Sequence, residues 1–255
     1  ALNGPLLPSV AFNDHTSMAM RAFDVSVQDR AFEFSPEFTI ASLDDTRMKQ
    51  RVAAKARRSG LEEDAYIRLL ARIWDRRSDV PDMIARVGQI GRAAGAPMLS
   101  HDDTRAETRT FFRDKGAAVS EFPMVMEAAL AAGAEGDPII FGAPNAARGG
   151  SHIGSLAAAD MVEAGLCDAL ASDYFYPAML AAVARLDEER RADRLSLWSL
   201  VSDGPAQAMK LTDRGQITQG RRADLVLLDW PEGGAPSVLG TWVAGRCAFR
   251  ALPAG

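Results

Sequence analysis

Between Gly95 and about Arg185 a short apolar run and an amphipathic stretch alternate four times, and this alternation restricts the chain to a small set of folds. Pro97-Met98-Leu99-Ser100, Ala117-Ala118-Val119-Ser120, Pro138-Ile139-Ile140-Phe141 and Leu166 to Ala171 have the length and composition of buried strands. Helices are expected after them: up to about Lys115, around Met124 to Ala131, from about Ser155 to Ala164, and around Pro177 to Arg185. Units of roughly 20 to 30 residues of this kind are right-handed βαβ crossovers, so the chain is α/β with a parallel sheet or barrel.

Each expected strand leaves a polar residue at its C-terminal end, namely Asp45, His101, Glu121, the Arg148 to His152 segment, and Asp173. In a (β/α)8 barrel those ends converge on one face. An open doubly wound sheet also places ligands at strand C-termini but gathers fewer residues at one point.

The stretch Gly142-Ala143-Pro144-Asn145-Ala146-Ala147-Arg148-Gly149-Gly150-Ser151-His152 reads as a loop opening from the third of these strands. Paired glycines let backbone N–H groups turn toward one point, and Arg148 offers a fork of donors suited to phosphate or carboxylate. A tight turn carrying a surface arginine explains the same residues about equally well. On residue type alone, His101 serves as a structural hydrogen-bonding residue, Asp173 as a helix N-cap and Glu121 as a salt-bridge member at least as readily as in chemistry.

Outside this region the pattern is less regular. Phe38 to Leu43 reads as a β-rich run ending at Asp44-Asp45. Tyr66, Leu69, Leu70, Ile73 and Trp74 recur at helical spacing within a surface helix from Lys49 to about Arg77, broken near Gly60. Pro81 starts another helix, with Asp79 as its expected cap and Ile84, Val87 and Ile90 as its apolar face. Leu195 to Lys210 is helical apart from a Gly204-Pro205 joint, and two strands, Leu225 to Leu228 and Thr241 to Arg246, form a small β element. We therefore expect a barrel region over 1–212 and a small β-sandwich portion over 213–255.

Composition removes several functions. A net charge of -5 and a pI near 5.3 argue against nucleic acid or an anionic membrane as partner, so an anionic substrate needs a local basic pocket. Cys167 and Cys247, the two cysteines, are too far apart for a CxxC metal or redox motif, which fits a reducing cytoplasm. No apolar run approaches the ~18 residues of a membrane span. Homo-oligomerisation stays open.

The end of the chain, with Pro205-Ala206, then Gly215-x-Ile217-x-x-Gly220-x-x-Ala223-Asp224-Leu225 and Val243-x-Gly245, resembles the C-terminal signature of the amidohydrolase superfamily. More narrowly, Ser100-His101-Asp102-Asp103, Ser120-Glu121-Phe122-Pro123, Gly142-Ala143-Pro144-Asn145 with Arg148-Gly149-Gly150-Ser151-His152, and Ser172-Asp173-Tyr174 with Pro177-Ala178 are similar to the α-D-ribose 1-methylphosphonate 5-triphosphate diphosphatases of the carbon–phosphorus lyase pathway. The resemblance covers about Leu99 to Gly245. It implies a metal-bearing (β/α)8 TIM-like barrel, incomplete at the N-terminus, with a small β-sandwich. It also implies hydrolysis of a phosphorylated sugar phosphonate to its 5-phosphate and pyrophosphate in phosphonate catabolism.

By that resemblance His101 and Asp173 are metal ligands, Asp173 also takes the proton of the attacking water, and Asp45 stands where the family has a ligand histidine. Neutral imidazole and carboxylate suit Zn²⁺ or Mn²⁺, either of which brings bound water toward a neutral pKa. Arg148, Gly149, Gly150, Ser151 and Asn145 are assigned to phosphate or phosphonate binding, His152 to a phosphate contact or proton donor, and Asp102 and Asp103 to orienting His101 or a metal water. The chain departs from the superfamily in its metal centre, having no His-x-His pair and no clear counterpart of the bridging lysine or glutamate, and in lacking the N-terminal strands of the β element. With His15, His101 and His152 as its three histidines, it cannot assemble the usual four-histidine centre. We therefore expect a C-terminal portion of a longer enzyme, or a shortened homologue. Hydrolysis of a cyclic amide or amine, and phosphate-ligand binding without turnover, are the competing functions.

Overall fold

The computed structural model describes residues 9–14, 16, 19, 30–39, 46–150 and 156–251, with residues 46–51 described by backbone alone. The alternating runs form a parallel sheet in which β1 (Val10–Phe12), β2 (Met98–His101), β3 (Val119–Glu121), β4 (Ile139–Gly142) and β5 (Ala169–Ala171) pair in sequence order. Among the described residues, the α-helices α1 (Thr46–Arg58), α2 (Glu63–Asp75) and α3 (Val80–Ala93) lie between β1 and β2. The later crossovers carry α4 (Ala106–Asp114), α5 (Met126–Ala134), and the pair α6 (Ala143–Arg148) and α7 (Ala158–Glu163). Beyond β5 lie α8 (Ala178–Glu188), α9 (Arg194–Ser199) and α10 (Asp203–Ala208).

Strand side chains alternate between two faces. On one face Met98 packs with Val80, Ile84 and Phe112, while Ile139, Phe141 and Leu170 pack with the α6–α8 residues Ala146, Ala159 and Val183. The opposite face carries Leu99, Val119, Ile140 and Ala169, closed from below by Ala208 at the end of α10. The crossover helices therefore share one face, and strand order never reverses. Both features follow a (β/α) succession rather than a doubly wound sheet.

Polar residues interrupt the helix-facing side at Ser100 and Ser120, which are fully buried partners on β2 and β3. Arg109 of α4 explains the first. Its guanidinium donates to Ser100 Oγ at 2.7 Å and to Asp137 Oδ2 at 2.6 Å, with further bonds to the Ala117 and Val119 carbonyls. Ser100 in turn donates to Asp103. Asp137 also receives Arg113 Nε at 2.8 Å, so its buried carboxylate is shared by two arginines, while Arg109 Nε is left without a hydrogen-bond partner. Burial pushes the Cys167 thiol up to about 12, leaving it a packing residue rather than a nucleophile.

The structure corrects several expectations. Residues 143–148 form a helix rather than a loop, since Gly142 and Pro144 open a turn that Ala146 and Ala147 continue. The buried face of α3 is Val80, Ile84, Gly88 and Gly91, whereas Val87 is 40% and Ile90 61% exposed. Close approach decides this. A Cβ on Gly88 would lie 2.3 Å from the Lys115 carbonyl oxygen, so only glycine lets α3 sit where it does. Asp79 makes no capping bond and instead accepts from Arg76 Nε at 3.2 Å. Phe38 and Thr39 are in no strand, and the rest of that expected run lies outside the described residues.

The chain end holds three antiparallel strands rather than two: β6 (Leu225–Asp229), β7 (Ser237–Val243) and β8 (Arg246–Arg250). Ala244 and Gly245 have φ of 49° and 77°, the backbone of a two-residue type I′ hairpin, which ends β7 and turns Arg246 into the start of β8. Arg194 ties this sheet to the rest by lying over the Trp230 ring at 4.4 Å while pairing with Asp187 at 2.7 Å. Among the described residues no helix is long and apolar enough to cross a membrane.

Removing the carboxylate of Asp137 leaves the buried Arg109 charge unpartnered, so Asp137→Ala is expected to cost about 3–5 kcal/mol of folding stability. Arg113→Ala, which removes a half-exposed partner, should cost about 1 kcal/mol or less. Urea denaturation of the two variants beside the parent chain checks the contrast.

Candidate active site

On the face opposite the helices, the apolar layer of Leu99, Val119, Ile140 and Ala169 is followed toward the strand C-termini by His101, Glu121, Gly142 and Ala171. The hydrogen-bond ladder runs one residue further. Asp102 N–H donates to the Glu121 carbonyl at 3.1 Å, and Phe122 N–H to the Ile140 carbonyl at 2.9 Å. Asp102, Phe122 and Asp173 then adopt φ of 59°, 54° and 50°, a left-handed backbone that non-glycine residues rarely accept. This conformation costs about 1–2 kcal/mol per residue, least for aspartate, and such strain gathers at functional sites. Asp173 is not the cap of α8, a position taken by Pro177.

His101, Asp102, Phe122, Arg148, Asp173 and Tyr174 line one cleft of about 260 Å³ at these strand ends. Because β2 and β3 are in register, His101 and Glu121 are cross-strand neighbours, and His101 Nδ1 lies 2.7 Å from Glu121 Oε2. Its Nε2 is 3.4 Å from Asp102 Oδ2, and the Phe122 ring meets the imidazole edge-on at 5.2 Å. The Glu121 hydrogen bond raises the His101 pKa above its ordinary value; burial opposes this, and the charges of Asp102, Glu121 and Asp173 reinforce it. Glu121 is thus the main partner of His101. Two polar strand ends of equal register and face were the signal for it.

Arg148 ends α6, and its Nη1 donates to Tyr174 Oη at 2.9 Å. Gly149, with φ of 80°, and Gly150 both donate their N–H groups to the Asn145 carbonyl, at 3.1 and 3.2 Å. These are helix-terminating bonds of the Schellman kind, and they engage the donors expected to face an anion. Gly149 is further pinned because a Cβ there would lie 2.2 Å from Arg185 Nη2. Asn145 also braces the chain, accepting Ala158 N–H at 3.1 Å and donating to the Leu156 carbonyl at 3.4 Å. Asp103 is fully buried and accepts from Ser100 Oγ. Asp45, Ser151 and His152 lie outside the described residues.

A Zn²⁺ or Mn²⁺ centre requires several deprotonated donors around one point. His101 and Asp173 share the cleft, but the imidazole is hydrogen-bonded to Glu121 and held toward its protonated form. Among the described residues no three His, Cys, Asp or Glu side chains gather as ligands. These residues alone do not complete a metal site.

The protein-family model of the amidohydrolase family matches residues 16–249. The chain belongs to the amidohydrolase family. Over 143 residues it is 40% identical to the alpha-D-ribose 1-methylphosphonate 5-triphosphate diphosphatase of Escherichia coli K12, a match covering 55% of this chain and 38% of that enzyme. The chain therefore spans well under half the length of that curated relative. Two solved structures share the amidohydrolase chain's fold. A prolidase complexed with N-methylphosphonate-L-proline aligns with a TM-score of 0.52 and 18% identity, covering 67% of this chain and 49% of that one. An adenosine deaminase from Xanthomonas campestris with bound Zn aligns with a TM-score of 0.51 and 15% identity, covering 96% and 79%.

With a folded pKa above the unfolded value of about 6.5, His101 stabilises the fold fully below that pH and loses this contribution as pH rises through its folded pKa. Imidazole NMR titration should place His101 above its ordinary value, and Glu121→Gln should lower it. The stability gap between parent and Glu121→Gln, followed by urea denaturation, should shrink from pH 6 to pH 9.

Proposed function

We propose that this chain carries part or all of the active site of a diphosphatase that hydrolyses α-D-ribose 1-methylphosphonate 5-triphosphate to the 5-phosphate and pyrophosphate. The observation that carries the reading is the meeting of His101 at the end of β2, Arg148 at the end of α6 and Asp173 just after β5 in one cleft. The 40% identity to the Escherichia coli diphosphatase supports the choice of substrate.

Water adds to phosphorus, and the anhydride bond between the first and second phosphoryl groups breaks. The charge on the departing pyrophosphate oxygen must be countered. Arg148 supplies a permanent cation at the rim, with its Nη1 already positioned by Tyr174. His101, whose pKa the Glu121 hydrogen bond raises, is the second basic group that lines the cleft. Asp173 is the carboxylate that takes the proton of the attacking water. Asp102 and Glu121 hold the imidazole from its two nitrogens, so the ring cannot turn without losing a partner.

Pyrophosphate release from the ribose triphosphate is the direct test, with dihydroorotate and hydantoin as counter-substrates and a chelator arm for metal dependence. Arg148→Ala should raise KM roughly 10- to 100-fold, as expected for loss of a charge-assisted hydrogen bond. Asp173→Asn should lower kcat by about 10²-fold or more. Turnover of dihydroorotate or hydantoin in place of the triphosphate would sink the proposal.

A further inference from the structure

We infer that the cleft also recognises a flat ring attached to the phosphorylated sugar, so that it binds nucleoside 5′-phosphates. The inference rests on the phosphate-binding role given above to Arg148 and extends it to the rest of the ligand. Its basis is a pair of aromatic rings on either side of a strand end that has no side chain. β4 lies between β3 and β5 and ends at Gly142. Phe122, the residue after β3, reaches over that end, since a Cβ on Gly142 would lie 3.8 Å from Phe122 Cε1. Tyr174, three residues beyond β5, approaches from the other side and is held there by its bond to Arg148 at the end of α6. The two rings thus border one slot with a cation at its edge.

Phe122 packs against the Leu99 layer and the His101 ring, but Tyr174 is poorly explained by packing. Tyr174 is 66% exposed, and it is followed by Phe175 and Tyr176 at 51% and 80%. None of these three rings stacks on another aromatic side chain among the described residues. Their backbone is nonetheless ordered by Phe175 N–H to the Ser172 carbonyl at 2.9 Å and Ala178 N–H to the Phe175 carbonyl at 3.0 Å. Tyr174, exposed on a hydrogen-bonded turn, and Phe122 both line the cleft and offer it aromatic faces for stacking. A purine offers it a π-face, and its 5′-phosphates supply the anion for Arg148. A phosphate without a ring uses only half of this surface.

Isothermal titration calorimetry of the 255-residue chain in chelator-treated buffer, with ATP and inorganic triphosphate as probes, separates the two halves. ATP should bind roughly 5- to 100-fold more tightly than triphosphate, the span of one base stacked on aromatic side chains. Tyr174→Ala should bring the ratio of the two affinities near one, and Tyr174→Phe, which keeps the ring, should preserve it. Equal affinities in the parent chain, or a ratio unchanged in Tyr174→Ala, overturn ring recognition while leaving the phosphate site intact. Failure of both probes to bind overturns the phosphate-binding role of Arg148 together with this inference.

Discussion

The Arg109 guanidinium is the contact on which the relative placement of three successive strands depends. It joins Ser100 on β2, the Ala117 and Val119 carbonyls at the start of β3, and Asp137 just before β4. Leaving a buried guanidinium nitrogen unbonded is costly, so the bonds made by Nη1 and Nη2 limit drift among the units they connect. Hydrophobic burial brings α4 onto the sheet, but apolar contacts alone have no direction. The ion pair adds one, and His101 and Glu121 meet at the far end of the same two strands.

At that far end the electrostatics are unequal. One imidazole faces three carboxylates, while Arg148 stands at the rim with a tyrosine hydroxyl as its acceptor. The carboxylates raise the imidazole pKa, with the Glu121 hydrogen bond as the largest cause, while the guanidinium keeps its charge at the rim. Left-handed backbone at Asp102, Phe122 and Asp173 sustains the arrangement, because each strand turns sharply where its ladder bonds end. The bonds of Asp102 and Phe122 to neighbouring strands hold a conformation that those residues would not keep alone.

Much of the fold was legible in the order of residues. The strands at Met98, Val119, Ile139 and Ala169 and the helices between them follow from period and burial, since a parallel strand covered on both faces has to be apolar throughout. The resemblance to amidohydrolases was legible too, through its glycine and aspartate spacing near the chain end. Elsewhere local pattern misled. Gly142 to Gly150 reads as loop because of its glycines, yet Ala143–Arg148 is a helix that Gly149 and Gly150 terminate. Val87 and Ile90 read as core, yet Gly88 and Gly91 are the residues that admit close packing. Arg246–Arg250 alternates polar and apolar too weakly to announce a strand, and the Ala244-Gly245 turn supplies it.

By itself the sequence determined the α/β alternation, the family, and which polar residues sit at strand ends, because these depend on short-range periodicity and covalent spacing. Only the tertiary structure decided their partners. That Glu121 rather than Asp103 holds the His101 ring depends on register between strands twenty residues apart. That Gly149 and Gly150 terminate a helix while Arg148 binds Tyr174 depends on how α6 and the turn after β5 approach each other. Such contacts are set by the packing of whole elements, which no local stretch of residues encodes.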